Sequence, residues 1–227
     1  MTTEPKQVKR SYDATRRAEA AARTRQSILE AARTLFAENG YSATSMAAIA
    51  QAAGVALDTV YASAGRKPAL VRLLVETAIS GTSQPVPAEQ RDYVVAIRAA
   101  PGAAQKIKLY AAAMRQISAR LAPLLELLQQ GAQNEPELAT LWSQISERRA
   151  ANMRLFAADL AAVAHLRVDV DRAADIVWVT NSPELYLLLV GQRGWTSSAY
   201  EHFLADAWTR LLLDDADRLG PVGSLRR

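Results

Sequence analysis

Residues 46–63 read MAAIAQAAGVALDTVYAS, and how this stretch folds decides the architecture of the chain. It contains two short helical segments, 46–53 and 57–63, joined by Gly54-Val55-Ala56. Two helices meeting at a steep angle through a turn of about 3–4 residues, often with glycine in it, form a helix-turn-helix. The small side chains of Ala47, Ala50, Ala52 and Ala53 let the first helix sit close to the second. Ile49, Val55 and Val60 then make a small core between them, which Leu35 and Phe36 close from the preceding segment. Asp58, Thr59 and Tyr61 are left on the outer face of the second helix, where a recognition helix meets the major groove of DNA.

Upstream, Ile28, Ala31, Ala32, Leu35 and Phe36 recur at the spacing of one helix face. This helix is expected to begin near Arg16 and to stop at Asn39-Gly40, glycine being suited to a left-handed cap. Residues 1–15 are polar and without periodicity, and read as a flexible basic arm carrying Lys6, Lys9 and Arg10. Such an arm either enters the adjacent minor groove or only adds nonspecific attraction. Thr44 or Ser45 caps the helix over 46–53.

Downstream the elements lengthen. Pro68 suits the first turn of a helix to about Ile79, and the cluster from Gly81 to Pro87 breaks the chain. A helix of about ten residues closed by Pro101-Gly102 follows. Residues 103–121 and 123–130 read as two helices divided by Pro123. A long amphipathic helix over 137–163, one from 171 to 190 capped by Asp169 or Asp171, and a last one over 196–213 complete the chain. The residues after 217, with Gly-Pro and Gly-Ser, read as a flexible tail. The expected fold is all-α, with domains at 1–15 (arm), 16–67 (helix-turn-helix), 68–217 (helical body) and 218–227 (tail).

Composition agrees with that reading and removes most chemistry. Of 227 residues, 50% are apolar but only 6% aromatic, and the abundant alanine favours helix over strand. The chain has no cysteine, which excludes disulfides, thiolate metal sites and a cysteine nucleophile together. His165 and His202 are the two histidines and stand in no metal-ligand spacing. Glycine-rich phosphate loops, a G-x-S-x-G elbow and an H-E-x-x-H motif are all missing, so the reading is not an enzyme and calls for no cofactor or metal. The net charge of +4 is unevenly placed: residues 1–70 carry ten Lys/Arg against six Asp/Glu, whereas residues 71–227 carry 17 of each. A basic module facing a polyanion, attached to a neutral body, has this distribution. No secretory signal or membrane span is visible, so a cytoplasmic location is expected and a membrane partner is not.

Residues 24–74, TRQSILEAARTLFAENGYSATSMAAIAQAAGVALDTVYASAGRKPALVRLL, resemble the DNA-binding region of tetracycline-repressor-type (TetR/AcrR) transcription regulators. Ile28-Leu29, Ala31-Ala32 and Leu35-Phe36 carry the resemblance in the first helix. Gly40-Tyr41, Thr44-Ser45, Ile49-Ala50, Ala53-Gly54-Val55, Thr59-Val60-Tyr61 and Lys67 with Ala69-Leu70 carry it through the rest. The resemblance implies a dimeric, ligand-responsive regulator, most simply a repressor, on a palindromic operator in double-stranded DNA. It implies DNA contacts from Thr44, Ser45, Thr59, Tyr61 and Lys67 to phosphates, with Leu57 and Asp58 near base edges. Other roles stay open for some of these: an N-cap for Thr44, Ser45 or Asp58, a half-buried core position for Tyr61, and a solvated side chain for Lys67. The recognition segment 56–64 departs from the family in having no Arg, Lys, Asn or Gln and an alanine where an aromatic is usual. Bidentate base readout is therefore absent from it, and phosphate contacts and DNA shape are expected to carry more of the recognition.

For the body, the resemblance implies a small-molecule effector held in an apolar pocket. The large residues on its helix faces, Tyr110, Met114, Leu128, Trp142, Ile145, Met153 and Trp178, are the candidates to line it, with ordinary core as the other reading. Asn181 and Glu184 stand out as polar groups in an otherwise apolar helix and face either ligand, water or the turn that Pro183 imposes. Helices 171–190 and 196–213 suit an antiparallel pair that, doubled across a two-fold axis, makes a four-helix homodimer interface.

Overall fold

The computed structural model describes residues 6–82 and 84–215, with side chains from residue 16 onward. Its elements are α1 (Lys6–Ala43), α2 (Met46–Ala53), α3 (Leu57–Ala64), α4 (Lys67–Ser80), a 3-10 turn (Ala88–Gln90), α5 (Asp92–Ala99), α6 (Ala103–Gly131), α7 (Pro136–Ala161), α8 (Val170–Thr180), α9 (Pro183–Tyr186), a π-helical turn (Leu187–Gln192) and α10 (Ser197–Leu212). Among the described residues the one extended feature is an isolated bridge between Leu166 and Leu213. The fold is all-α.

α1 starts at Lys6, inside the segment expected to be a flexible arm. Residues 1–5 of the expected arm, and the expected tail 218–227, lie outside the described residues. Gly40 breaks α1 near its end, with φ 74° and ψ 177°. The small core forms as the spacing requires: Ile28, Phe36, Ile49 and Val60 are buried, while Leu35 and Val55 are partly buried against them. Tyr41 stacks on Phe36 with ring centroids 5.9 Å apart.

α2 ends in a Schellman turn. Val55 N–H donates to Ala50 O at 3.0 Å and Gly54 N–H to Gln51 O at 3.1 Å, while Gly54 sits in the left-handed region at φ 67°. A side chain there would strain the turn that sets the angle between α2 and α3.

Two prolines behave differently from expectation. Pro123 lies inside a continuous α6 instead of dividing two helices. An interior proline costs about 3 kcal/mol, but the buried side chains of Leu121, Leu124, Leu125 and Leu128 stabilise by about 1.5–3 kcal/mol each. Burial wins. Pro183, expected to bend a helix running from 171 to 190, instead begins α9, because α8 stops at Thr180 and Ser182 caps the new helix by accepting from Leu185 N–H. The expected interface helix is thus α8, α9 and a π-helical turn in series.

α6 runs through the middle of the body and packs on α1, α4, α5, α7, α9 and α10. Tyr200 of α10 is wholly buried, and loss of hydration pushes its phenol up from 10.0 to about 12. Burial raises Tyr41 from 10.0 to about 12 as well. An unfolded tyrosine ionises first on the alkaline side, so this stability is fully present below pH 10 and is lost as pH rises towards about 12. The thermal midpoint is expected to fall across that window, and to fall less steeply in Tyr200→Phe.

Candidate DNA-binding face and ligand cavity

α3 presents Leu57 and Tyr61 outward at 39% and 45% exposure, together with exposed Asp58 and half-buried Thr59. These four residues form one solvent-facing surface on a helix whose opposite side, Val60 and Ala64, is buried. Asp58 lies in the first turn of α3, and its N-cap position is taken by Ala56. Exposed Ser45 caps α2, its Oγ accepting from Ala48 N–H at 3.0 Å. Its O–H and the free N–H groups of the first turn of α2 leave an anion-accepting end.

Thr44 is corrected. It is 2% exposed, and its hydroxyl donates inward to Gly40 O at 2.8 Å and Leu35 O at 3.1 Å. Instead of offering a hydroxyl to phosphate, it closes the carbonyl end of α1 at the Gly40 break. Lys67 is likewise engaged internally. Its ammonium donates to Tyr41 O at 2.9 Å and Thr44 O at 3.0 Å and stands 4.1 Å from the Tyr41 ring centroid. An ammonium has three N–H donors, so one is left after the two carbonyls.

The body encloses a cavity of about 640 Å³ between α5, α6 and α7, with α8 and α9 reaching it through Asn181 and Pro183. This volume is in the range that holds a small organic ligand, about 300–1,000 Å³. Most of the wall is apolar: Ile97, Met114, Ile117, Leu121, Leu125 and Phe156. Tyr110 is the centre of an aromatic group, with ring centroids 4.6 Å from Phe156, 5.3 Å from Trp208 and 6.4 Å from Tyr93. Its hydroxyl donates to Met153 Sδ at 3.3 Å and accepts from Asn181 Nδ2 at 3.3 Å. Burial raises its phenol far above the ordinary tyrosine value and keeps it neutral. Asn181 in turn accepts from Arg149 Nη2 at 3.0 Å. Asp159 reaches the wall while paired at 2.9 Å with Lys106, which is 2% exposed and also donates to Ile97 O and Arg98 O.

Of the expected ligand residues, Tyr110, Met114, Met153 and Asn181 line the cavity. The other five lie outside its lining. Leu128 and Ile145 are buried in filled core, and Trp142 packs against that core from outside. Trp178 lies under the Arg149 guanidinium, 4.9 Å from ring centroid to the central carbon. Glu184 is exposed on α9. Helical spacing marks the inward face of a helix, but a filled interior and a void use the same residue types. Sequence reasoning missed Arg149, Asp159 and Arg98, which look like ordinary charges of amphipathic helices.

Residues 28–74 match the family model for bacterial regulatory proteins of the tetR family. Over those residues the chain is similar to the DNA-binding region of that family. As a TetR-type fold it is similar along most of its length to solved regulators. NalD of Pseudomonas aeruginosa, the secondary repressor of the MexAB-OprM multidrug efflux pump, is 20% identical, with 86% of this chain and 99% of that one covered at a TM-score of 0.65. FadR of Bacillus halodurans, a fatty acid degradation regulator, is 19% identical, with 82% and 94% covered at 0.64. TylP of Streptomyces fradiae, a TetR regulator, is 19% identical, with 88% and 90% covered at 0.57. No curated protein sequence matches the chain. Among the described residues no helix is long and apolar enough to cross a membrane.

In this TetR-type head, Lys67 ties the end of α1 and the start of α2 to the first turn of α4. Lys67→Met leaves two carbonyls without their charged donor, and hydrogen bonds to charged groups are worth about 1.5–3 kcal/mol in sum or singly. Denaturant unfolding is expected to show a loss of about 2 kcal/mol in that variant. A midpoint equal to wild type would mean that water replaces the ammonium without cost.

Proposed function

We propose that this chain is a TetR-family homodimeric repressor in the cytoplasm, which binds a palindromic operator and leaves it when a small, mainly apolar ligand occupies the body cavity. The observation that carries the reading is the position of α6. It lines the cavity from Tyr110 to Leu125 and also packs against α1 and α4. A ligand that fits one tilt of α6 better than another therefore biases the spacing of the two α3 helices, by its differential affinity for the two states. That NalD is a repressor supports the sign of regulation.

On the operator side the contacts are assigned to Ser45, Thr59, Tyr61 and the remaining donor of Lys67 on phosphates, with Leu57 and Asp58 towards base edges. The acidic Asp58 accepts from a cytosine amino group and repels phosphate, so it favours groove over backbone. The dimer is assigned to α8, α9 and α10. Gel shift on the DNA flanking the protein's own gene, at low salt, tests the reading directly. A shift on a palindrome there, reversed by an apolar extract of the host, supports it; no shift on any such palindrome overturns it.

A further inference from the structure

The cavity wall contains a cation that no carboxylate pairs among the described residues. Arg149 of α7 is half-buried, and only Nη2 of its three nitrogens has a hydrogen-bond partner, to Trp178 O and Asn181 Oδ1. The two acids on the wall are Asp159, held by Lys106, and Glu89 near the 3-10 turn. Against them stand Arg91, Arg98 and Arg149, with Lys106 behind, so the wall is net positive. Burial pulls the Arg149 guanidinium below its ordinary value, and exposed Glu184 and the Tyr110 hydroxyl offset this only in part. A desolvated, unpaired charge is unfavourable until it is both paired and hydrogen-bonded.

We propose that the effector carries a carboxylate on an otherwise apolar body, and that Nη1 of Arg149 reads that carboxylate beside Asn181. This rests on the reading of the cavity as the effector site. With Nη2 taken by Trp178 O and Asn181 Oδ1, Nη1 is left to donate a charge-assisted hydrogen bond, and the stacked Trp178 ring and the Asn181 acceptor fix the plane of the guanidinium before ligand arrives. The remaining wall, from Ile97 to Phe156, accepts a hydrocarbon or aryl body. A cationic ligand would find aromatic faces in Tyr93, Tyr110 and Phe156, but it would meet Arg149 at like charge. A neutral ligand would desolvate Arg149 further and return nothing for it.

The test uses the full chain and two matched probe series: decanoate with its methyl ester and decylamine, and naphthoate with its methyl ester and the corresponding amine. Binding is read by tryptophan fluorescence and calorimetry, and release of the upstream DNA fragment by gel shift. The carboxylate of at least one series is expected to bind about tenfold or more tighter than its ester or amine, a charge-assisted pair being worth at least about 1.4 kcal/mol. Arg149→Gln is expected to abolish the preference of acid over ester. Arg149→Lys keeps the charge without the planar guanidinium and is expected to retain part of the preference. Should Arg149→Gln fold poorly, the wild-type comparison of acid with ester decides alone. Esters or amines that bind as tightly as the acids and release DNA overturn the proposal and leave the regulator reading intact. Acids that bind through Arg149 without releasing DNA support the proposal and overturn the regulatory reading. No binding by any probe at millimolar concentration overturns both.

Discussion

Trp208→Ala is expected to destabilise the body by about 3–5 kcal/mol, the range for removing a large aromatic side chain from a packed core. Trp208 has no exposed surface. It is 5.3 Å from Tyr110 and 6.3 Å from Phe156 between ring centroids, and its indole N–H donates to Thr180 Oγ1 at 2.7 Å. Both aromatic neighbours also face the ligand cavity. Deleting the indole therefore opens a void behind the cavity wall and frees the last turn of α8, which that hydrogen bond ties to α10. Backbones on three helices bound the site, so collapse to fill the void is restricted and the upper half of the range is expected. For a chain of this size the thermal midpoint should drop by roughly 10 °C or more. Trp208→Phe keeps most of the ring and loses only the hydrogen bond, so it should cost about 1 kcal/mol. A calorimetric drop in the alanine variant no larger than in the phenylalanine variant would refute the argument.

On the proposed homodimer, the paired substitution Val179→Asp and Leu188→Asp is expected to yield a folded monomer. Both side chains are apolar and exposed, at 55% and 48%, and with Trp195 and Leu211 they give the α8–α10 side of the body an apolar surface. Burying it against a second copy removes these groups from water, whereas four aspartates across a two-fold axis would be desolvated at like charge. Since the substituted positions contribute little to the monomer core, the thermal unfolding of the single chain should change little. Operator affinity should fall by about 10²–10⁴, the advantage of presenting two linked heads to two half-sites. Light scattering and gel shift on one sample check both halves of this expectation. A dimer that persists in the variant would move the interface elsewhere.

The turn of the helix-turn-helix was legible because its signals are local. Ser45, Gly54 and the alternation of Ile49, Val55 and Val60 act within about fifteen positions of each other, and α2 begins and ends at the expected residues. The prolines were not legible, because their effect depends on what surrounds them. Pro123 is carried by leucines that α4, α7 and α10 bury from outside the helix, while Pro183 follows a capping serine that already ends α8. The charges divided in the same way. Thr44 and Lys67 sit where the resemblance expects phosphate contacts, yet the Thr44 hydroxyl turns back to Gly40 O and the Lys67 ammonium engages Tyr41 O and Thr44 O, the latter pair long-range contacts that no spacing encodes. Arg149 follows Arg148 in sequence. One forms an exposed pair with Glu76 and the other enters the cavity wall, and nothing short of the fold distinguishes them.

The Lys67 clamp has a consequence for how information crosses the molecule. One ammonium grips carbonyls on both sides of the α1–α2 junction from the first turn of α4, so the head has no slack at the point where the body touches it. In the proposed switch, a push delivered along α4 would steer the head as a solid block, the way a tiller turns a rudder, without loosening its internal joints. Amide exchange at residues 41–45 should accordingly stay as slow in the released state as in the bound one.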